Sequence, residues 1–279
     1  MTVHSAEGED RSSWQNVVPW TADDFGITKA TEATGWVDPT FAANWARLKQ
    51  EAKPRGAYHY FHPSIDAAAQ AEFFVSVVRE HGLEPGDMLA IDTEITVGAE
   101  GVQEFSSPQG MQRSNVPLTG SLASTSLVNA GTLRFMDTVA GLVGPHHPLL
   151  IYTNLSVGSL LTSCTHYELW IAYPSDTAPE SVAPWSRWRI WQWAFGGGAG
   201  GGDRDGYNGT KEDLAAWIET FRQQPHPQPQ PKPGPAPSPE PVLPSPPKLV
   251  DPPEPASATP PAATPVPQQP GSPADPEEV

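Results

Sequence analysis

Met88-Leu89-Ala90-Ile91-Asp92-Thr93-Glu94 is an apolar run that ends in two acids. It follows the turn-like residues Glu84–Asp87, and an apolar run bounded in this way predicts a buried strand. Because alternate side chains of a strand share a face, Asp92 and Glu94 should point the same way, about 6.5–7 Å apart. Paired carboxylates at this separation are typical of glycoside hydrolysis. The alternative is a solvated strand end with two surface acids.

Strand-like and helix-like segments alternate on both sides of this strand. The other predicted strands are 25–30, 56–61, 149–153, 169–173 and 189–193, and the predicted helices are 38–53, one capped by Ser64 or Asp66, 130–142 and 211–221. This alternation favours a parallel sheet, most simply a closed barrel. Helices become sparse after residue 165, so we expect an α/β fold: an irregular TIM-like (β/α) barrel with fewer helices than strands. Residues 95–128 are rich in Gly, Ser, Pro and Gln, and we expect them to form a long excursion between the strands and helices of the barrel.

The composition divides the chain at about residue 225. Residues 225–279 contain 22 of the 34 prolines and show no hydrophobic period, which predicts a disordered, proline-rich C-terminal tail. Residues 1–224 are long enough for one barrel domain with a sizeable core.

The charge and the apolar runs exclude several classes of partner. The net charge of −16 argues against nucleic acid. No run reaches the roughly 18 apolar residues that a membrane helix needs, so we expect no membrane insertion. Met1–Arg11 lacks the basic start and apolar core of a signal peptide. We expect a chain that is made in the cytoplasm without a signal peptide, and a monomer.

Polar and aromatic groups should collect where the strands of a parallel barrel end, at its carboxyl face. The candidates for this rim, besides Asp92 and Glu94, are Asp10, Lys29, Glu32, Tyr58, His59, Tyr152, Tyr173, Gln192 and Asp203. Trp170, Trp191 and Trp193 offer flat faces and N–H donors that suit a sugar, with core packing as the alternative for each. Lys29 and Glu32 could equally form a surface ion pair.

Four motifs resemble cofactor sites but lack residues that such sites require. Gly196–Gly202 lacks the Gly-Lys-Ser/Thr ending of a phosphate loop, so a flexible loop is the better interpretation. Asp203–Asn208 resembles the start of a calcium loop but lacks acids at the required later positions. His59 with His62, and His146 with His147, have no convincing third zinc ligand. We therefore expect no metal and no cofactor.

Seven stretches, in order, resemble glycoside hydrolase family 25, the lysozymes (muramidases) of many phages and bacteria. They are Asp10–Gln15, Ile27–Glu32, Val37–Trp45, Arg55–Phe61, Ile91–Glu94, Leu150–Thr153 and Asp203–Gly209. They cover nearly all of residues 8 to 218, so 1–224 would be the catalytic barrel. The chain departs from the family at its first strand, where Glu9 and Arg11 flank Asp10 in place of apolar residues.

The resemblance implies an irregular α/β barrel that cleaves the β-1,4 bond between N-acetylmuramic acid and N-acetylglucosamine in bacterial peptidoglycan glycan strands. It implies Glu94 as the general acid, and Asp92 as the stabiliser of the oxocarbenium-like centre or the group that orients the substrate acetamido group. Asp203 and Asp10 would tune the charge and hold the sugar or the attacking water. The substrate-binding candidates are Tyr58, Tyr152, Trp170, Tyr173, Trp191, Gln192 and Lys29.

Two other functions fit the same residues. A chitinase-like glycosidase would use the same acid pair, and a non-catalytic cell-wall-binding module could keep the barrel without turnover. Among lysozymes, a missing signal peptide fits a phage endolysin that reaches the host cell wall after holin-type release.

Overall fold

The computed structural model describes residues 6–15, 17–20, 23–94, 102–107, 110–117 and 121–225, with side chains outside 102–107, 110–117 and 121–126. Its strands are β1 (Ala6–Arg11), β2 (Phe25–Glu32), β3 (Trp36–Val37), β4 (Arg55–Tyr60), β5 (Met88–Asp92), β6 (Val102–Ser107), β7 (Gly110–Pro117), β8 (Leu149–Asn154), β9 (Glu168–Ala172), β10 (Ile190–Ala194) and β11 (Asp203–Tyr207). Its helices are α1 (Phe41–Gln50), α2 (Ala67–Glu80), α3 (Ser121–Val143), α4 (Leu155–Gly158) and α5 (Lys211–Arg222).

Eight strands close into a barrel in the order β1-β11-β10-β9-β8-β5-β4-β2, and β1 also pairs with β2 to complete the ring. The barrel pairings are parallel except for those of β11, which runs antiparallel to both β10 and β1. The short β3 extends β2, and β6 pairs with β7 in a separate two-stranded sheet. The predicted α/β barrel with fewer helices than strands is confirmed.

The reversal of β11 was not predicted, and the length of its connection explains it. A parallel neighbour needs a crossover of a dozen or more residues, whereas residues 195–202 only suffice for a hairpin. Gly196, Gly197 and Gly201 adopt positive φ angles in this loop. Because β11 runs backwards, its first residue, Asp203, lies at the same end of the barrel as the last residues of the parallel strands.

The core has two layers. An inner cluster fills the barrel and includes Ile27, Ala90, Leu150 and Trp170, while an outer cluster packs the helices against the sheet. Residues of α5 join the inner cluster together with residues at the starts of strands. Helix α5 therefore covers the end of the barrel opposite Asp92.

The predicted elements differ from the structure mainly at their ends. Helix α1 begins at Phe41 and not at Asp38, because the Asp38 side chain accepts hydrogen bonds from Ser13 and Thr40 ahead of the helix. Asp66 caps α2 as predicted, accepting a hydrogen bond from the Ala69 amide. Helix α3 begins nine residues before the predicted start at 130. Residues 95–101 and the tail from 226 onward lie outside the described residues.

Among the residues that the structure describes, none of the helices combines the length and the apolar character needed to cross a bilayer.

Candidate active site

An acidic pocket of about 210 Å³ opens at the carboxyl ends of the parallel barrel strands. It is lined by Asp10, Ser12, Trp14, Gln15, Tyr58, Asp92, Glu94, Tyr152, Trp170, Gln192 and Asp203. These residues come from β1, β4, β5, β8, β9, β10 and β11 or from the segments that follow β1 and β5. The structure thus brings together the four predicted acids.

Asp92 is the last residue of β5 and is almost completely buried. No hydrogen-bond donor reaches its Oδ1 atom among the described residues. Burial raises its pKa well above the usual value, the charge of Glu94 raises it further, and the charge of Lys29 opposes both effects. A buried carboxylate oxygen without a donor is costly, and a bound ligand with an N–H or hydroxyl group could satisfy it.

Glu94 follows β5 by two residues and is more accessible than Asp92. Burial raises the pKa of Glu94, a hydrogen bond with Tyr152 partly opposes the shift, and the charge of Asp203 adds to it. A carboxyl group that keeps its proton towards neutral pH, on the wall of an open pocket, can donate that proton to a ligand.

Gln192 joins the acids on the other side of the pocket. Its Nε2 atom donates to Asp10 at 2.7 Å and lies 3.3 Å from a carboxylate oxygen of Asp203. Its Oε1 atom accepts a hydrogen bond from the Tyr152 hydroxyl at 2.9 Å. The Gly196 amide donates to the second oxygen of Asp203 at 2.5 Å. One neutral side chain therefore holds two carboxylates in place.

The pKa values of Asp10 and Asp203 are raised as well. Burial and the charge of Asp203 raise the pKa of Asp10 to about 7, although the hydrogen bond from Gln192 opposes the shift. Burial also raises the pKa of Asp203, against the hydrogen bond from Gly196. The pocket therefore holds several carboxyl groups that bind protons more tightly than exposed acids.

Sequence reasoning missed a further acid, Asp205. It is completely buried, and its Oδ1 atom accepts a hydrogen bond from Trp170 Nε1 at 2.7 Å. Asp205 stands two residues after Asp203, which is the same spacing that identified Asp92 and Glu94. Once 203–207 is recognised as a strand, this spacing would have placed Asp205 on the face of Asp203.

The Gly-rich loop before β11 is not the flexible loop that was expected, because it packs around the buried Glu9. The Gly200 and Gly202 amides donate to Glu9 Oε1 at 3.1 and 2.8 Å. A Cβ atom at Gly198 would lie 2.1 Å from the Glu9 carboxyl carbon, so the contact requires glycine. Glu9 is also paired with Arg11 at 2.7 Å. The charged residues that flank Asp10 thus have a structural partner.

Comparison of the sequence with models of protein families identifies the family of the chain. The model of "Glycosyl hydrolases family 25" matches residues 9–201. The chain belongs to this family. As a family 25 glycosyl hydrolase it is an enzyme of the lysozyme type, and the resemblance described above is confirmed.

Individual relatives of the chain include a lysozyme and an uncharacterized protein. The chain is 28% identical to the uncharacterized protein YegX of Escherichia coli (strain K12), over 80% of this chain and 76% of YegX. It is 25% identical to lysozyme M1 of Streptomyces globisporus, over 75% of this chain and 70% of that enzyme. The muramidase structure from Acremonium alcalophilum superposes with a TM-score of 0.61 at 24% identity, covering 77% of this chain and 99% of that one. This last likeness shows the shared fold.

Within the family 25 pocket, four of the substrate-binding candidates line the wall: Tyr58, Tyr152, Trp170 and Gln192. Trp191 does not, because it is buried in the outer core layer, where its Nε1 atom donates to the Tyr173 carbonyl at 2.7 Å. Tyr173 packs against the same outer layer. These two aromatic residues are therefore not placed to contact a sugar in the pocket.

Lys29 and Glu32 form a buried pair at 2.6 Å, and not the surface ion pair that was considered. His62 Nε2 lies 3.1 Å from the other Glu32 oxygen. The Lys29 ammonium group also lies over the rings of Trp36 and Tyr60, within 4.9 Å of each centroid. Lys29 is not part of the pocket lining, but its charge lowers the pKa of Asp92.

Two further features of this family 25 enzyme concern ligands. Trp14, which was not among the binding candidates, is 82% exposed at the edge of the pocket. Its face is free to stack on a sugar ring. Among the described residues, no group of three or more His, Cys, Asp or Glu side chains could hold a metal ion.

Proposed function

We propose that this protein is a peptidoglycan hydrolase that cleaves the β-1,4 bond between N-acetylmuramic acid and N-acetylglucosamine. The observation that carries the proposal is the meeting of Asp92, Glu94, Asp203 and Asp10 in one pocket of a family 25 barrel. Glycoside hydrolysis needs one carboxyl group that donates a proton and another that stabilises positive charge at the sugar. The pocket contains carboxyl groups suited to both tasks.

Glu94 is the general acid in this proposal. It lies on the pocket wall, where burial and the charge of Asp203 raise its pKa. A glycosidic oxygen is a poor leaving group until it is protonated, and a carboxyl group that is still protonated near neutral pH can protonate it. Glu94 would give its proton to this oxygen as the bond to the sugar carbon breaks.

Asp92 faces the sugar that carries the developing positive charge. Its Oδ1 atom has no donor among the described residues, and the N–H of a 2-acetamido group would provide one. That hydrogen bond favours the charged form of Asp92, as the charge of Lys29 already does. The proton that Asp92 and Glu94 compete for would then lie on Glu94. Asp92 either orients the acetamido group as the nucleophile or stabilises the oxocarbenium-like centre directly.

Asp203 and Asp10 hold the sugar hydroxyl groups or the attacking water on the opposite wall. Gln192 fixes both carboxylates, so that a water molecule between them would have acceptors at defined positions. Trp14 supplies an exposed aromatic face at the pocket edge, and Tyr58 and Tyr152 supply hydroxyl groups inside it. These side chains together with one water molecule supply the proton donor, the charge stabiliser and the nucleophile that hydrolysis requires.

The decisive experiment compares Glu94→Gln with Glu72→Gln, a neutralised acid on the exposed face of α2. On purified cell walls, Glu94→Gln should lower the rate of clearing at least 100-fold, because an amide cannot donate the required proton. Glu72→Gln should clear walls at the wild-type rate. Lytic activity retained by a folded Glu94→Gln protein would remove Glu94 from the mechanism.

Product analysis separates the proposed reaction from its alternatives. Mass spectrometry of digested peptidoglycan should identify N-acetylmuramic acid at the new reducing ends. Cleavage of chitin at a comparable rate would instead indicate a chitinase-like enzyme. Sugar binding without any product would indicate a wall-binding module.

Action on a host cell wall after holin-type release, as a monomeric phage endolysin, stays a prediction. When the chain is expressed inside a bacterium with a susceptible wall, lysis should begin only after a holin is co-expressed. Lysis without a holin would contradict it.

A further inference from the structure

Asp205 is a carboxyl group for which the proposed mechanism has no use. It lies on β11 with its side chain inside the barrel and has no exposed surface. Trp170 Nε1 donates to Oδ1 at 2.7 Å, whereas no N–H or hydroxyl donor of the described residues reaches Oδ2. An ionised carboxylate in this position would lack the hydrogen bonds that compensate a buried charge.

The neighbour of Asp205 on the next strand explains this geometry. β1 pairs with β11 so that Gly8 lies opposite Asp205, and Asp10 follows Gly8 on the same face of β1. An interaction between the carboxyl groups of Asp10 and Asp205, of the hydrogen-bond type, lowers the pKa of Asp10 and raises that of Asp205. Two carboxylates only accept hydrogen bonds, so a contact of this kind requires a proton on one of them.

The surroundings of the pair indicate which carboxyl group carries the proton. Asp10 accepts a hydrogen bond from Gln192 and reaches the pocket, which favours its charged form. Asp205 is more deeply buried and has no ion pair among the described residues. Burial raises its pKa well above the usual value, and the charges of Asp10 and Asp203 add to the shift.

Among the described residues, the titratable groups that interact with Asp205 are acidic or neutral. They are Asp10 from β1, Asp203 from its own strand and Tyr152 from β8. Trp170 from β9 donates a hydrogen bond to Asp205, and Gln192 from β10 lies opposite it in the strand pairing. The hydrogen bond from Trp170 favours an ionised Asp205, but burial and the charge of Asp10 oppose it and raise the pKa of Asp205 well above the usual value.

We propose that Asp205 is a positioning residue that stays protonated and donates a hydrogen bond to Asp10. Together with Gln192 it holds the Asp10 carboxylate from two sides, so that Asp10 keeps its place in the pocket without a cation beside it. Loss of the proton would put two buried negative charges side by side and displace Asp10. The catalytic consequence rests on the proposed function; the protonation of Asp205 does not.

The first test measures the proton directly. Infrared difference spectra at pH 7 would compare wild type with Asp205→Asn, which keeps the shape of the side chain. Wild type minus Asp205→Asn should show a protonated carboxyl C=O band and no carboxylate bands. Wild type minus Asp176→Asn, an exposed aspartate, should show carboxylate bands only. Carboxylate bands in the Asp205→Asn difference would overturn the proposal, whatever substrate the enzyme cleaves.

The second test uses rescue. Asp205→Ala removes the donor to Asp10, so kcat on peptidoglycan should fall about 10- to 100-fold with little change in KM, and the acid limb of the pH profile should move to higher pH. Asp205→Asn can accept from Trp170 and donate to Asp10, so it should recover kcat to within a few-fold of wild type. If a folded Asp205→Asn protein is as slow as Asp205→Ala, the positioning role is wrong. If Asp205→Ala does not fold, the infrared comparison still decides.

Discussion

The Gln192 amide nitrogen lies 2.7 Å from the Asp10 carboxylate and so bridges two strands that are separated by β11. The same nitrogen atom approaches Asp203, and the Gln192 oxygen accepts from Tyr152. A neutral donor at this point reduces the repulsion between two carboxylates without adding a charge. The arrangement of the acidic wall therefore depends on an amide.

Replacing this amide by a carboxylate should disable the enzyme. Gln192→Glu keeps the size of the side chain but cannot donate to Asp10, and it adds a charge to the acidic pocket. We expect kcat to fall by about 100-fold, because a small displacement of catalytic groups has effects of this size. Steady-state kinetics on solubilised peptidoglycan would measure it, with the exposed Gln224→Glu as the control. A Gln192→Glu protein with wild-type kcat would contradict the bridging role.

The glycines around Glu9 should tolerate no side chain. A Cβ atom at Gly202 would lie 2.2 Å from the Asp10 carbonyl oxygen and 2.6 Å from Glu9 Oε1. Gly202→Ala should therefore destabilise the fold by about 1–3 kcal/mol, as overpacking does, and lower activity by moving Asp203. Thermal unfolding would measure the first effect. Gly35→Ala is the control, since no atom lies within 4 Å of its Cβ position, and an equal loss in both variants would refute the explanation.

The buried Lys29–Glu32 pair should combine a structural and an electrostatic role. Lys29→Met leaves Glu32 without its cation, which should cost about 3–5 kcal/mol. Burial and the charge of Glu94 raise the pKa of Asp92, and the charge of Lys29 lowers it. Without Lys29 the pKa of Asp92 should rise further, so the acid limb of the kcat/KM profile should move to higher pH. Urea unfolding and a pH–rate profile would measure the two effects.

The double variant Lys29→Met/Glu32→Gln separates the two roles. It removes the unpaired charge and should recover most of the lost stability. It does not restore a cation near Asp92, but it removes the Glu32 charge that raises the pKa of Asp92, so the acid limb should stay displaced by less than in Lys29→Met. Recovery of the wild-type pH profile in the double variant would show that Lys29 acts only through the fold.

Protonation of Asp10 should be visible in the pH dependence of stability. The native pKa of about 7 exceeds the value of 3.8 for an exposed aspartate, so the folded state binds this proton more tightly. Its contribution to stability is complete below pH 3.8 and is lost as the pH rises through 7. The free energy of unfolding of wild type relative to Asp10→Asn should thus fall by up to roughly 4 kcal/mol between pH 4 and pH 8. Denaturant titrations would measure it; a difference that rises with pH would contradict the shift.

Truncation after Pro225 should leave the chemistry intact. Helix α5 ends at Arg222 and already covers the end of the barrel, so residues 1–225 should fold as one domain. We expect unchanged kcat on soluble wall fragments and an unchanged thermal midpoint. A cosedimentation assay with intact walls would show whether residues 226–279 serve binding. A lower kcat on soluble fragments would contradict the predicted domain boundary.

Local sequence patterns were sufficient to predict the acid pair and most of the barrel strands. The spacing of Asp92 and Glu94 predicted that the two acids lie together, and both line the pocket, although the strand ends at Asp92 and Glu94 follows it. Apolar runs between turn residues located β2, β4, β5, β8, β9 and β10 to within one or two residues. The order of these strands around the ring follows from their order along the chain.

Contacts between distant segments decided which groups the pocket contains. Barrel strands are buried on both faces, so alternation does not reveal which residues point inward. Trp191 and Gln192 are neighbours, yet Trp191 packs in the outer layer and Gln192 reaches the acids. The surroundings of Asp205 and Glu9 likewise arise only when β11 meets β1, because Asp205 then lies beside β1 and Glu9 receives the Gly200 amide from 191 residues further along the chain.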